Sequence, residues 1–255
     1  MRRIATLIAV MVFMSVPSVS FALLDVEVAV GVWQQDPSGY FGYNILGVDD
    51  QIDLENDAKY DSESKAMLRA KVDLPLFLPN IYAMYTPMEF EGTGNKTVNF
   101  NFNNVPFTAG VDFYSKAKFD HYDVALFWGI PFLQTATLGK LDVEWGINAR
   151  FIEFEGTITQ GATTETVSES LVVPMVYIGV ELKPIKSLGV QAEVRGINYD
   201  DSSYYDYIAR IKYSPLKLPL FIGAGYRMEQ IDIDDKNIRA DIDVSGPFVE
   251  FGLQF

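Results

Sequence analysis

The sequence predicts an all-β fold: a transmembrane, antiparallel up-and-down β-barrel of about ten strands, with eight or twelve as the alternatives. Three observations predict it. Hydrophobicity alternates with period two along most of the chain, short and long connections follow one another between the alternating segments, and no segment after residue 22 holds the 18 consecutive apolar residues of a membrane-crossing helix. Composition agrees. With 49% hydrophobic and 14% aromatic residues among 255, the chain is too apolar to stay disordered. The formal net charge of −14 argues against a nucleic-acid partner, which demands surplus Lys and Arg. The absence of Cys removes disulfides, thiolate zinc sites and cysteine nucleophiles.

Taken in order, residues 1–22 read as a cleaved export signal: Arg2 and Arg3, an apolar run over 4–16, then Pro17 and the small-residue site Ser20-Phe21-Ala22. The run is too short to cross a bilayer as a helix. The mature chain, 23–255, is then a single barrel domain, with no Cys to carry a lipid anchor. Its first strand puts Val26, Val28, Val30 and Val32 on one face against Asp25, Glu27, Ala29 and Gly31 on the other. The same alternation gives strands at 24–33, 65–74, 81–91, 118–129, 138–155, 169–183, 188–199, 204–214, 219–232 and 238–255. Proline-marked tight turns (74–80, 130–138, 183–188, 214–219) alternate with polar segments (34–64, 92–117, 156–168, 200–203, 234–237), so both termini fall on the short-turn side. An even strand number is what a closed bacterial barrel requires. Residues 97–102 and 105–109 are expected to form a hairpin beyond the membrane or, alternatively, two further wall strands.

A soluble sandwich or lipocalin-like barrel would alternate too, so other features must orient the faces. Tyr82, Trp128, Tyr213 and Phe255 near the short turns, and Trp33, Phe90, Phe151 and Tyr205 near the long loops, are expected on the apolar face as interfacial belts. The opposite face carries both signs of charge and is expected to fill the lumen with ion pairs: Glu27, Arg69, Lys71, Glu144, Arg150, Glu193, Arg195, Arg210, Arg227 and Glu229, with Glu89, Asp123, Asp206, Lys212 and Glu250 on the same face. Ile238, Ala240, Ile242 and Val244 are even and Val249 to Phe255 odd, which predicts a bulge or bend at 245–247.

The signal segment, the start Leu23-Leu-Asp-Val-Glu-Val-Ala-Val-Gly-Val-Trp33 with Asp36-Pro-Ser-Gly39, and the close Phe251-Gly-Leu-Gln-Phe255 resemble a family of small proteobacterial outer-membrane β-barrel proteins. The resemblance implies a fold and a location in the bacterial outer membrane, not a reaction. The last strand resembles those whose final aromatic, here Phe255, is read by the barrel assembly machinery. Outer-membrane lipids and lipopolysaccharide are the other expected partners.

Little points to chemistry. His121, the only histidine, shares a face with Asp123, but side chains two apart on a strand stand about 7 Å from each other, too far for a direct hydrogen bond. Asp49, Asp50, Asp53, Glu55, Asp57, Asp61 and Glu63 crowd one loop without the Gly and twelfth-position Glu of a calcium loop. No catalytic, metal or cofactor site is expected. The expected function is a structural or surface-interaction barrel with a filled lumen; a narrow cation-preferring pore and a barrel hydrolase using His121 are the alternatives.

Overall fold

The computed structural model describes residues 24–43, 50–75, 78–216, 218–234 and 238–255, so the export signal predicted at 1–22 lies outside the described residues. The strands are β1 (Asp25–Tyr43), β2 (Ile52–Asp53), β3 (Glu63–Asp73), β4 (Asn80–Thr86), β5 (Glu89–Gly94), β6 (Phe100–Phe102), β7 (Val105–Phe107), β8 (Phe113–Gly129), β9 (Leu141–Gln160), β10 (Thr163–Ile185), β11 (Leu188–Tyr199), β12 (Ser202–Tyr213), β13 (Leu220–Asp234) and β14 (Ile238–Gln254). Among the described residues one four-residue helix, α1 (Leu133–Ala136), occupies the β8–β9 turn.

Each wall strand pairs antiparallel with its sequence neighbour, and β14 returns to β1 from Glu27↔Gln254 to Tyr43↔Ile238. β4 and β5 share one register on β8, Thr86↔His121 and Glu89↔Lys118, and count as one stave broken at Pro87, which has no N–H to give a ladder. The result is a closed ten-stave barrel. β6 and β7 pair only with each other, which settles the strand number: they form a hairpin off the wall. At the seam the Phe255 N–H donates to Val26 O (3.0 Å) and the Val26 N–H to Phe255 O (3.1 Å).

The outer face is greasy. Val30, Val32, Leu68, Val124, Trp145, Ile147, Val176, Ile178, Ile211, Ile222, Val249 and Phe251 all project outward and are exposed. On β9 the outward series Trp145, Ile147, Ala149 and Phe151 stops at Glu153, which marks the long-loop edge of the band. Strands need only about 9–11 residues to cross a bilayer. With 20 and 23 residues, β9 and β10 therefore stand well beyond it on that side. Because a closed ladder leaves no strand edge for detergent to invade, the folded protein should resist SDS at room temperature and migrate faster than the boiled form. Equal mobility before and after boiling would contradict closure.

Three of the eight expected belt aromatics point the other way. Trp128, Tyr213, Phe151, Tyr205 and Phe255 are outward, but Trp33, Tyr82 and Phe90 are buried inside at 0%, 1% and 1% exposure. Trp33 obeys the parity of its own strand, one step out of phase with Val26 to Val32. On β4 and β5 the even residues face inward, so Tyr82 and Phe90 line the lumen while Glu89 faces out and pairs with Lys116 (3.0 Å).

The expected bulge at 245–247 is absent. β14 holds one register on β13 through Met228↔Ser245, Arg227↔Gly246 and Tyr226↔Pro247, and its even residues face inward from Ala240 to Gly252. What changes is polarity, not backbone. Below the middle of β14 the apolar residues meet lipid outside; above it Ala240, Ile242 and Val244 meet an apolar interior.

The long loops close over that interior. Residues 52–60 turn back onto the inner side of β5, where a Cβ at Gly94 would overlap the Asp57 carbonyl oxygen, so only glycine allows the approach. Tyr60 stacks on Phe90 (6.2 Å) and Phe100 on Phe107 (5.2 Å), while Phe102 meets Phe41 edge-on (6.1 Å). The acidic loop is put to structural use. Asp53 accepts from the Glu55 and Asn56 N–H groups (3.0 and 2.7 Å), Asp57 pairs with Lys96 (2.9 Å), and buried Asp50 accepts from the Asn101 N–H (2.7 Å). Asp49 lies outside the described residues, and among the described ones no cluster suits a metal ion.

Candidate functional site

The alternation that turns aliphatic residues to lipid turns polar ones into a narrow lumen, which the structure divides into three levels. At the short-turn end is a polar vestibule of about 190 Å³ lined by Asp25, Lys71, Asp142, Glu144 and Glu181 among others. Its inner wall passes into a belt of buried charge, and above the belt lies an apolar cavity of about 610 Å³.

In the lower belt Arg69 donates from Nε and Nη2 to the two oxygens of Glu250 (2.8 Å each), a bidentate fork across the β1 seam, and also pairs with Glu27. Lys212 pairs with the same Glu27, Lys71 with Glu144 (2.6 Å), and Arg210 with Glu193 and Gln191. The Tyr177 hydroxyl donates to Glu144 at 3.0 Å.

The upper belt is centred on Asp206. Arg150 reaches across the lumen from β9 to Asp206 (2.6 Å), to Asp123 through Nε and Nη2 (2.9 Å each), and to Glu229 (3.2 Å). Arg227 donates to Asp206 through Nε and Nη2 (3.0 and 2.9 Å) and forms an ion pair with Glu229 (2.6 Å). Arg195 pairs with Glu193 (3.1 Å) and lies over the rings of Tyr82 and Tyr177 (4.7 and 5.2 Å). Flat guanidinium groups can both fork to carboxylates and stack on rings, which suits Arg to this packing.

The cations Arg69, Lys71, Arg150, Arg195, Arg210, Lys212 and Arg227 are thus matched by Glu27, Asp123, Glu144, Glu193, Asp206, Glu229 and Glu250. The belt is neutral overall; the acid excess of the chain lies in the loops and at the vestibule mouth, at Asp25, Asp73 and Asp142.

His121 sits inside this belt, 1% exposed. Its Nδ1 is 3.0 Å from Phe119 O and its Nε2 3.3 Å from Glu229, against 4.0 Å from Asp123, so its carboxylate neighbour comes from β13 across the lumen. The flanking groups Arg227 and Thr86 bond each other (2.8 Å).

Sequence reading missed the aromatic platforms. Trp33 lies beneath Arg227 (4.7 Å) and donates to Gly246 O (3.2 Å); Tyr204 lies beneath Arg150 (4.7 Å) and donates to Glu229 (2.7 Å). Strand parity alone would have found them. It missed the apolar cavity as well, whose only signal was apolar residues on the charged face: Ile152, Phe154, Ile231, Ile233 and Ala240.

A closed antiparallel barrel with lipid-facing aliphatics, a charged interior and the start of its first strand and the end of its last both on the short-turn side is a transmembrane β-barrel of the outer-membrane class. Among solved structures, the translocator domain of the autotransporter NalP from Neisseria meningitidis shares this fold: TM-score 0.50 and 12% identity, covering 97% of this chain and 96% of that one. Ail, the attachment invasion locus protein of Yersinia pestis, matches with TM-score 0.36 and 8% identity over 91% of this chain and 99% of that one. Neisserial surface protein A matches with TM-score 0.29 and 10% identity over 91% and 97%. No protein-family model and no curated protein matches the sequence.

Proposed function

We propose that the chain is exported by residues 1–22, inserted into the bacterial outer membrane with its long loops outward, and serves there as a non-conducting structural or surface-interaction barrel. The observation that carries this reading is the belt. Arg150, Arg195 and Arg227 are buried at 0–1% exposure against Asp206 and Glu229 at 0%, and they span the lumen between the vestibule and the upper cavity. Such a network leaves little room for a continuous water path in a barrel only slightly wider than the eight-strand case. Purified wild-type protein should give no stable conductance in planar bilayers. Large, regular channels would replace this reading with a pore.

Outer-membrane lipids and lipopolysaccharide fit the aliphatic outer band, and the barrel assembly machinery fits the aromatic end. Phe255 is 63% exposed on the lipid side while its backbone closes the seam to Val26. Deleting it removes an interfacial ring and two seam hydrogen bonds together. Membrane yield of the folded form should fall well below that of a variant shortened in the 156–168 hairpin. Equal yields would remove the proposed role.

A further inference from the structure

The filled-barrel reading leaves the upper cavity without a task. Its floor is the ion belt, reached through Tyr204, and its walls are inward side chains such as Phe41, Ile152, Phe154, Ile231 and Ile233. At about 610 Å³ it falls within the range of about 300–1,000 Å³ of small-molecule sites, and like them it is apolar with a few polar groups at one edge. Water gains few partners in such a space, and apolar cavities of this kind accept apolar guests.

The wall beside it is open. The β10–β11 ladder runs from Ile185↔Leu188 up to Val176↔Gly196 and stops, although β10 continues to Thr163 and β11 to Tyr199. Continued in register, the next outward pair would be Pro174 with Asn198, and Pro174 has no N–H to extend a ladder. β9 still pairs with β10 throughout this stretch, including Ala149↔Pro174 and Phe151↔Val172, so the opening lies on the β11 side alone. An apolar groove on the lipid side, lined by Ile147, Phe151, Val176, Val194 and Tyr205, includes Pro174 and Ile197, and so does the inner cavity. Phe151 is the last apolar outward residue of β9 before Glu153, so the opening lies at the top of the hydrocarbon band.

The rim sets the charge of the guest. Asp200, Asp201, Asp232 and Asp234 line the upper edge of the cavity, and the one pairing there is between Arg239 and Asp234 (3.1 Å) among the described residues. Carboxylates so placed disfavour an anion in a space whose other described polar side chains are uncharged hydroxyls such as those of Ser202, Ser203 and Tyr204.

We propose that this cavity is a binding site for an uncharged, hydrocarbon-like small molecule that enters sideways from the membrane between β10 and β11. The site is a dead end, because the belt below it blocks onward passage.

The test uses two fluorescent probes of one skeleton, neutral N-phenyl-1-naphthylamine and its sulfonated analogue 8-anilinonaphthalene-1-sulfonate, added to the full-length protein in lipid nanodiscs with empty nanodiscs as the background. The neutral probe should bind saturably at one site, and the sulfonate at least about tenfold more weakly. Ile231→Glu should weaken the neutral probe by about tenfold or more, and Ile233→Gln, the milder change nearer the mouth, by less; heat-shifted gel mobility confirms that each variant is folded. The chain has no Cys, so a short thiol cross-link between Pro174→Cys and Asn198→Cys can bridge the opening, and it should slow uptake of the neutral probe without changing its equilibrium affinity. Binding no greater than to empty nanodiscs, or equal binding to a folded Ile231→Glu variant, would overturn the site. Equal affinity for the sulfonate would overturn the charge selection, and unchanged uptake after cross-linking would overturn the sideways route. None of these results depends on whether the barrel conducts, so the site and the filled-barrel reading fail separately.

Discussion

Asp206→Ala is expected to destabilise the barrel by about 3–5 kcal/mol, the usual cost of removing one partner from a buried ion network. Asp206 is 0% exposed and receives Arg150 at 2.6 Å and Arg227 at 2.9 Å, with an Arg195 nitrogen at 3.8 Å. Removing it leaves Arg150 and Arg227 with only Asp123 and Glu229, and Arg195 with Glu193, among groups buried from solvent. The shared low-dielectric surroundings that strengthen each pair make the uncompensated charge costly. Asp206→Asn keeps the shape and one acceptor oxygen and should lose less. The measurement is the temperature at which the fast-migrating form in SDS converts to the slow one, supported by a urea titration in lipid. A change within about 0.5 kcal/mol, as for an ordinary surface substitution, would show that the belt contributes no stability.

The second large effect is on permeation. Arg150→Ala combined with Arg210→Ala is expected to turn a silent barrel into a conducting, cation-preferring one. Arg150 on β9 pairs with Asp123 on neighbouring β8 and crosses the lumen to carboxylates on β12 and β13, and Arg210 reaches Glu193 and, at 3.6 Å, Glu250 on β14. Without them, two long side chains no longer bridge the lumen, and Asp123, Asp206, Glu193 and Glu250 lose cationic partners. Because the intact belt is neutral, cation preference should arise with the variant rather than be inherited from the net charge of the chain. Single-channel recording with a salt gradient reads both properties. If the double variant keeps its gel shift and stays silent, the barrier lies instead in the loops packed over the long-loop end.

The sequence made much of this molecule legible. Period-two alternation located every wall strand, and the alternation of short and long connections ordered them, because both are consequences of the local pleat and of an up-and-down path. The same alternation put Arg69, Arg150, Arg195, Arg210 and Arg227 on one face with Glu27, Glu144, Glu193 and Glu229. It went astray where polarity was used in place of parity. Tyr82, Phe90 and Trp33 were placed outside because aromatic rings suit membrane interfaces, yet their positions along the strand put them inside. The supposed bulge in β14 arose from the same substitution, since an apolar face signals lipid only within the membrane band.

What the sequence by itself determined is the all-β architecture, the order of the staves and which residues share a face, all of them properties of nearest neighbours along the chain, whereas the choice of ten staves over eight or twelve waited on the structure, which pairs β6 with β7 alone. Only the tertiary structure decided which charges meet across the lumen, that His121 faces Glu229, and that the upper lumen is apolar and open beside Pro174. These depend on closure. The partners of Arg150 come from residues 27, 56 and 79 positions away, and the gap beside β10 exists because the β10–β11 ladder ends at Val176↔Gly196, just short of Pro174, while β9 stays paired with β10. Alternation within a strand carries no information about the register and height of strands that meet only when the barrel closes.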